Sequence, residues 1–277
     1  MQKFFTMNDD LDGIIERIIP KENIVSARHI ITGWTNIVIE VTTENDAFFF
    51  RFPRNDFFSK MLVKDYTFCK FIKGKTSFVT PELELFYDGK RPFSMHRKIR
   101  GYCLTDRMKH LSRQTMTSIA YDISKFIREL GEIDSSNLPN EGRMDLPDFL
   151  GELADTHFDD RSLGHHDYLK STSDNSKLIH GDLNPGNILL DENDNVAGVI
   201  DFCFAGFGSQ YLDVSRIIGR SKGEFRDIMI KGYEDVSGSE ANVGIIDRLV
   251  AVWNDIETGY IGYIKKNHPE IQIPDSV

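Results

Sequence analysis

Three oxygen-bearing side chains set the chemistry open to this chain: Asp182, Asn187 and Asp201. The first two stand in His180-Gly181-Asp182-Leu183-Asn184-Pro185-Gly186-Asn187-Ile188-Leu189-Leu190-Asp191, and the third in Ile200-Asp201-Phe202. Phosphoryl transfer needs such a set. One carboxylate orients an attacking hydroxyl and accepts its proton, while an amide oxygen and a second carboxylate hold magnesium against the phosphates. Magnesium prefers oxygen ligands and keeps several waters, so two protein ligands suffice. A lone Asp in such a stretch reads as a turn cap. The full spacing, His-x-Asp-x4-Asn-x3-Asp with Ile-Asp-Phe shortly after, reads as a site.

The surrounding pattern supplies the elements that must position these groups. Lys177 to Ile179 reads as a short strand, and Asn184-Pro185-Gly186 as a turn. Asn187 to Leu190 begins a second strand, and Val196 to Ile200 a third, which ends on Asp201. This layout puts Asp182 and Asn187 at opposite ends of one loop and Asp201 at a neighbouring strand tip.

At these residues the sequence resembles the catalytic loop and metal-binding segment of aminoglycoside phosphotransferases and related small-molecule kinases. The resemblance implies an α+β, protein-kinase-like fold of two lobes. A small antiparallel-sheet lobe would span residues 1–98, with a hinge at about 95–98, and a mainly helical lobe residues 99–277. It implies Asp182 as the catalytic residue, Asn187 and Asp201 as Mg2+ ligands, and ATP or GTP as phosphoryl donor. His180 would fix loop geometry. Asp213, in Tyr211-Leu212-Asp213-Val214-Ser215, would brace the loop or cap a helix. Cys203 stands where protein kinases carry the glycine of Asp-Phe-Gly.

The N-terminal part fits the same resemblance with departures. A helix carrying Leu11, Ile14, Ile15, Ile18 and Ile19 is expected to start at Asn8 or Asp9 and close at Pro20. Strands are expected over Ile24–Thr32, Asn36–Thr43 and Ala47–Phe52. The turn between the first two would offer Gly33, Thr35 and Asn36 to the nucleotide phosphates, although one glycine also fits an ordinary hairpin. Alternation puts Phe48, Phe50 and Phe52 on one face of the third strand, and Phe49 with Arg51 on the other. Relatives often carry lysine at the Arg51 position. Arginine keeps the charge but is longer and forked, and Arg54 is the alternative if the strand ends early. On a helix over about residues 57–73, Asp65 sits where the family has a glutamate paired with that lysine. A longer cation with a shorter carboxylate would preserve the reach of the pair. After strands Pro81–Tyr87 and Pro92–Lys98, the expected hinge supplies Met95, His96 and Lys98 as nucleotide neighbours.

The C-terminal part reads as helical. Ile119, Ile123, Phe126, Ile127 and Leu130 form a core face. Further helices are expected over about residues 147–157, 212–220, 222–234 and 240–266. On the last, Trp253, Glu257 and Tyr260 share a face and Asp255 lies on another; the segment loosely resembles one in aminoglycoside 2″-phosphotransferases. These four are the candidate acceptor contacts. Carboxylates suit a polycation, and the aromatic rings equally suit a quaternary ammonium. The histidines and aspartates at 157–167 fit no familiar metal spacing.

Composition narrows the partners. The 277 residues are 40% hydrophobic, enough for a real core. A net charge of −10 argues against nucleic acid and favours a cationic or neutral partner, and a small cationic acceptor is the one expected here. Three scattered cysteines fit a reduced cytoplasm. No secretory signal or membrane-spanning run is expected, and a monomer is the expected state. The reading is thus an aminoglycoside kinase, with choline- or ethanolamine-type kinases, macrolide kinases and a non-catalytic nucleotide-binding protein as alternatives.

Overall fold

A computed structural model describes residues 5–30, 35–150, 165–172, 177–221 and 223–267. The N-terminal half is an antiparallel sheet of β1 (Ser26–Ile30), β2 (Asn36–Thr42), β3 (Ala47–Pro53), β4 (Glu84–Asp88) and β5 (Arg91–Arg97), in the order β1-β2-β3-β5-β4. Register and alternation give the sheet two different faces. Ile37, Ile39, Val41, Phe50, Phe52, Phe93 and Met95 pack together on one, under helix α1 (Leu11–Glu16) and Phe5. Val38 lies opposite Arg51, and Arg51 opposite Ser94, so the other face carries Arg51 and, two residues past Ser94, His96. The alternation expected of β3 therefore sends its arginine away from the phenylalanine core.

Helix α1 is shorter than its apolar stripe. Asp10 caps it, accepting from the Gly13 N–H at 2.9 Å. The amides of Ile18 and Ile19 both turn back onto the Ile15 carbonyl, which ends the ladder before Pro20. Ile18 and Ile19 still pack on the same core. Asp9, one of the two expected caps, instead accepts from Thr6 and pairs with Arg91. Helix α2 (Asp56–Ile72) starts at Asn55, whose side chain accepts from Phe58 N–H at 2.8 Å, and buries Leu62, Asp65, Phe68, Cys69 and Ile72.

The C-terminal half is mainly helical. It holds α3 (Leu104–Arg107), α4 (Arg113–Glu132), α5 (His165–Ser171), α6 (Gln210–Gly219), α7 (Phe225–Ser237) and α8 (Val243–Asn267). Short strands thread between them: β6 (Tyr102–Cys103), β8 (Ile188–Leu190) and β9 (Val196–Val199) form one sheet, and β7 (Leu178–Ile179) with β10 (Gly206–Phe207) another. The α4 stripe, Ile119, Ile123, Phe126, Ile127 and Leu130, is buried with Leu178, Ile188, Phe202, Ile217 and Met229. Of the helix expected at 147–157, only residues 147–150 fall among those described, and they are helical. No helix among the described residues is long and apolar enough to cross a membrane.

The contact between α4 and α7 needs a missing side chain. A Cβ on Gly232 would sit 3.0 Å from the Ala120 carbonyl carbon, against backbone that has nowhere to go. Replacing Gly232 with Leu should therefore destabilise the fold by about 1–3 kcal/mol, the usual cost of overpacking. Urea unfolding with the slope unchanged and the midpoint lowered would show it; an unchanged midpoint would mean the helices separate freely.

Candidate active site

The loop bearing Asp182 is held from below. Asp213, fully buried on the first turn of α6, accepts from the backbone N–H groups of His180 at 2.9 Å and Gly181 at 2.8 Å. Burial pushes its carboxyl up to about 7, while those two donors pull the other way. Asp213 does not cap the helix; Ser209 does, accepting from Tyr211 N–H. Gly181 has φ +79°, and a Cβ there would run into the Phe204 carbonyl oxygen. This is a place where only glycine fits.

His180 links two parts of the site. Its Nδ1 accepts from Asp182 N–H at 3.2 Å, and its Nε2 lies 3.0 Å from the Ile200 carbonyl. The acceptor at Nδ1 requires the proton on Nε2. Burial pushes this imidazole toward its neutral form, which is the form that can do both. The ring also lies 4.6 Å from that of Phe202. The loop and the tip of β9 thus move as one piece.

Asn187 turns its amide nitrogen toward Asp182, donating to the carbonyl at 2.9 Å and to Oδ2 at 3.3 Å. Its amide oxygen is left to face another ligand. Asp201 follows β9 with φ +66°, a conformation that non-glycine residues rarely adopt. Its Oδ1 is enclosed and has no hydrogen-bond partner. Burial raises this carboxyl, with Arg51 acting against it. A buried oxygen left unmatched asks for a donor or an ion. The donor set, one amide oxygen and one carboxylate, fits the hard oxygen chemistry of magnesium. Among the described residues there is no cluster of three or more His, Cys, Asp or Glu able to hold a metal, so protein ligation would be sparse.

Two cations stand behind this carboxylate. Arg51 Nη1 lies 2.6 Å from Asp65 Oδ2, and its Nη2 lies 3.9 Å from Asp201 Oδ1. Burial opposes the charge on Arg51, but Asp65 and Asp201 outweigh it and hold the guanidinium above its ordinary value. The second cation, Lys64, has no counterpart in the sequence reading. Its ammonium is buried and donates to the carbonyls of Phe202 at 3.3 Å, Cys203 at 3.2 Å and Ala205. It ties α2 to the segment that follows Asp201. Burial pushes Lys64 down to about 8.

These groups open onto one cavity of about 570 Å³ between the sheet and the helices. Thr35, Asn36, Arg51, Asp65 and His96 line it from the sheet side, with Asp182, Asn187 and Asp201 opposite. Trp253 and Glu257 of α8 complete the far end. Burial and then Arg51 lower His96 to about 4, so its imidazole is neutral at pH 7, and its Nδ1 has no partner. Other expected residues lie elsewhere. Met95 belongs to the phenylalanine core. Lys98 is drawn aside, 2.6 Å from Glu40. Asp255 is exposed, 3.0 Å from His165 Nε2, and does not line the cavity. Gly33 and the side chain of Tyr260 fall outside the described residues.

The far end holds two residues that sequence reading passed over. Arg216 Nε lies 2.6 Å from Asp182 Oδ1, and its Nη1 lies 3.3 Å from Glu257. Arg220 pairs with the other oxygen of Glu257. Arg216 lies on α6 three residues after Asp213, and Arg220, one turn further on, is the residue that ends the helix. That spacing is the signal which would have found them: it returns a helix to the same face.

A sheet lobe, a helical lobe, and a carboxylate, an amide and a carboxylate on the cleft between them define a phosphotransferase of kinase-like fold. The family model that matches residues 26–242 is that of the phosphotransferase enzyme family, and the chain belongs to it. No curated protein sequence matches the chain significantly. Among solved structures, the GDP and kanamycin complex of APH(2″)-IIIa is 20% identical, with a TM-score of 0.73 over 94% of each chain. ADP-bound aminoglycoside phosphotransferase APH(2″)-Ib is 18% identical, with a TM-score of 0.63 over 95% of this chain and 94% of that one. The apoenzyme of macrolide 2′-phosphotransferase MphH from Brachybacterium faecium is 11% identical, with a TM-score of 0.62 over 95% of this chain and 99% of that one. At these identities the likeness is one of fold, and the fold is that of protein kinases.

Lys64 gives a pH-dependent prediction. An unfolded lysine titrates near about 10.4, and the buried one near about 8. Between those values the unfolded chain binds more protons, so stability rises with pH. The contribution is present above the unfolded value and lost as pH falls through the folded one. Relative to Lys64→Met, the wild-type chain should gain up to about 3 kcal/mol between pH 8 and 10.4 and show no further relative change below about pH 7.5. Denaturant midpoints of both proteins across this range would measure it. Parallel curves would mean that the carbonyl cage fully offsets burial.

Proposed function

We propose that this enzyme transfers the γ-phosphoryl group of ATP or GTP to a hydroxyl of a small molecule, with magnesium. One observation carries the reading: Asp182, Asn187 and Asp201 open onto the same cavity as the paired guanidinium of Arg51. Asn187 and Asp201 would hold the metal, which neutralises phosphate charge when bound. Arg51, fixed by Asp65, steadies the phosphates. Asp182 orients the acceptor hydroxyl and takes its proton. Positioning and charge neutralisation supply most of the acceleration, because a loose phosphoryl transition state asks little of a base. With the chain divided into residues 1–98 and 99–277, the nucleotide would lie between the two parts. A non-catalytic nucleotide binder would not need all three oxygen-bearing groups.

For the acceptor, the resemblance and the net charge of −10 favour an aminoglycoside, as do relatives of the same fold crystallised with one. A second reading, an acceptor that is not a polycation, is favoured by a different observation. Both oxygens of Glu257 are committed to arginines, and Asp255 lies off the cavity, so these carboxylates do not wait for ammonium groups.

Replacing Asp182 with Asn should lower turnover by about 10²–10⁴-fold and leave ADP affinity within about twofold by titration calorimetry. Near-native turnover in that variant would exclude the assignment. A coupled assay of nucleotide consumption over aminoglycosides, macrolides, choline and ethanolamine, with product masses, should give an 80 Da increase, the mass of an added phosphoryl group, on one acceptor class. Turnover confined to aminoglycosides would reject the second reading.

A further inference from the structure

We propose that the α6–α8 end of the cavity is an anion subsite, and that the phosphorylated molecule carries a carboxylate or phosphate group held by Arg216 and Arg220. This rests on the phosphotransferase reading and takes the second view of the acceptor further. Two guanidinium groups line this wall and share one carboxylate: Arg220 takes one oxygen of Glu257, and Arg216 the other at 3.3 Å. An ammonium group would have to expel an arginine to reach it.

Two guanidinium groups here meet two carboxylates, Glu257 and Asp182. Arg216 is balanced by Asp182 at 2.6 Å. That oxygen must be given up when Asp182 receives the acceptor hydroxyl, which leaves two cations against Glu257. The structure already registers the crowding: burial and the neighbouring Arg216 push Arg220 below its ordinary value. An anion placed beside the pair offsets the repulsion between the two guanidinium groups. The third feature is independent. Trp253 is 6% exposed, lines the same wall, and its Nε1–H has no hydrogen-bond partner. An indole N–H buried without a partner is a donor awaiting an oxygen. Its ring centroid also lies 4.9 Å from the Arg216 guanidinium carbon. Guanidinium forks match the paired oxygens of a carboxylate or phosphate, so the wall offers donors in the geometry such a group accepts.

The subsite is tested by binding. Binding of MgADP and of MgGDP to the wild-type chain is measured first, and the absence of both would overturn the phosphotransferase reading and this proposal with it. With the tighter of the two nucleotides bound, titration calorimetry then compares glycerate, glycerol 3-phosphate, glycerol and kanamycin. At least one acidic probe should bind, and glycerol and kanamycin should not; the two acidic arms separate carboxylate from phosphate. Arg220→Gln should weaken that probe by about tenfold or more and leave nucleotide affinity unchanged, while Arg220→Lys restores part of the loss. Circular dichroism and unfolding midpoints establish that the variants fold. Failure of both acidic probes overturns the anion subsite while leaving phosphoryl transfer standing. So does tighter binding of kanamycin, or a loss in Arg220→Gln that falls on the nucleotide instead.

Discussion

The buried carboxylate of Asp213 takes the backbone N–H groups of both His180 and Gly181, and the positions of the other groups in the cleft follow from that. An ionised carboxylate is costly to bury unless its oxygens are satisfied, and two backbone donors satisfy it. The strand-to-loop turn is therefore held to α6 at the point where Gly181 adopts its left-handed conformation. Asp182 comes next in the chain. His180 then ties Asp182 to Ile200, so the residue after Ile200, Asp201, is placed by the same anchor.

Around this anchor the cleft is an alternation of charges. Arg51 lies between Asp65 and Asp201, Arg216 between Asp182 and Glu257, and Lys64 inside a cage of carbonyls. Each buried charge has a partner, which is the condition for keeping it in the interior at all. The exceptions are single atoms. Among the described residues Asn36 Oδ1, Ser94 Oγ, His96 Nδ1, Asp201 Oδ1 and Trp253 Nε1 are enclosed without a hydrogen-bond partner, and all of these residues but Ser94 line the cavity. Polar atoms left unsatisfied in an otherwise paired interior mark where ligands complete the structure.

The two ends of the cavity differ in kind. At the sheet end, an apolar β-strand pattern delivers one cation, Arg51, to the cleft by alternation alone. At the helical end, α6 supplies the brace, Asp213, and Arg216, and it ends on Arg220. One helix thus couples the geometry of the catalytic loop to the chemistry of the acceptor wall. That coupling explains why the family model and the fold agree on a phosphotransferase while leaving the acceptor open: the transfer machinery is built from the loop, and the acceptor wall from side chains that face it.

The sequence by itself determined where the candidate transfer residues lie. Its signals are local: the spacing from His180 to Asp191, the strand ending at Asp201, the alternation that turns Arg51 away from the phenylalanine core, and the helical stripe that buries α4. Each depends on neighbours a few residues apart, and chain periodicity is enough to place them. Asp65 was also within reach, because it needed only a helix to face a strand. What the tertiary structure decided is which charges meet across the chain. Lys64 reaches carbonyls more than a hundred residues away, Glu257 is claimed by two arginines, Asp255 turns to His165, and Lys98 is drawn off to Glu40. No periodicity encodes such pairings. They are settled by packing, which fixes the distance between elements far apart in sequence and, with it, which of several nearby charges becomes a partner.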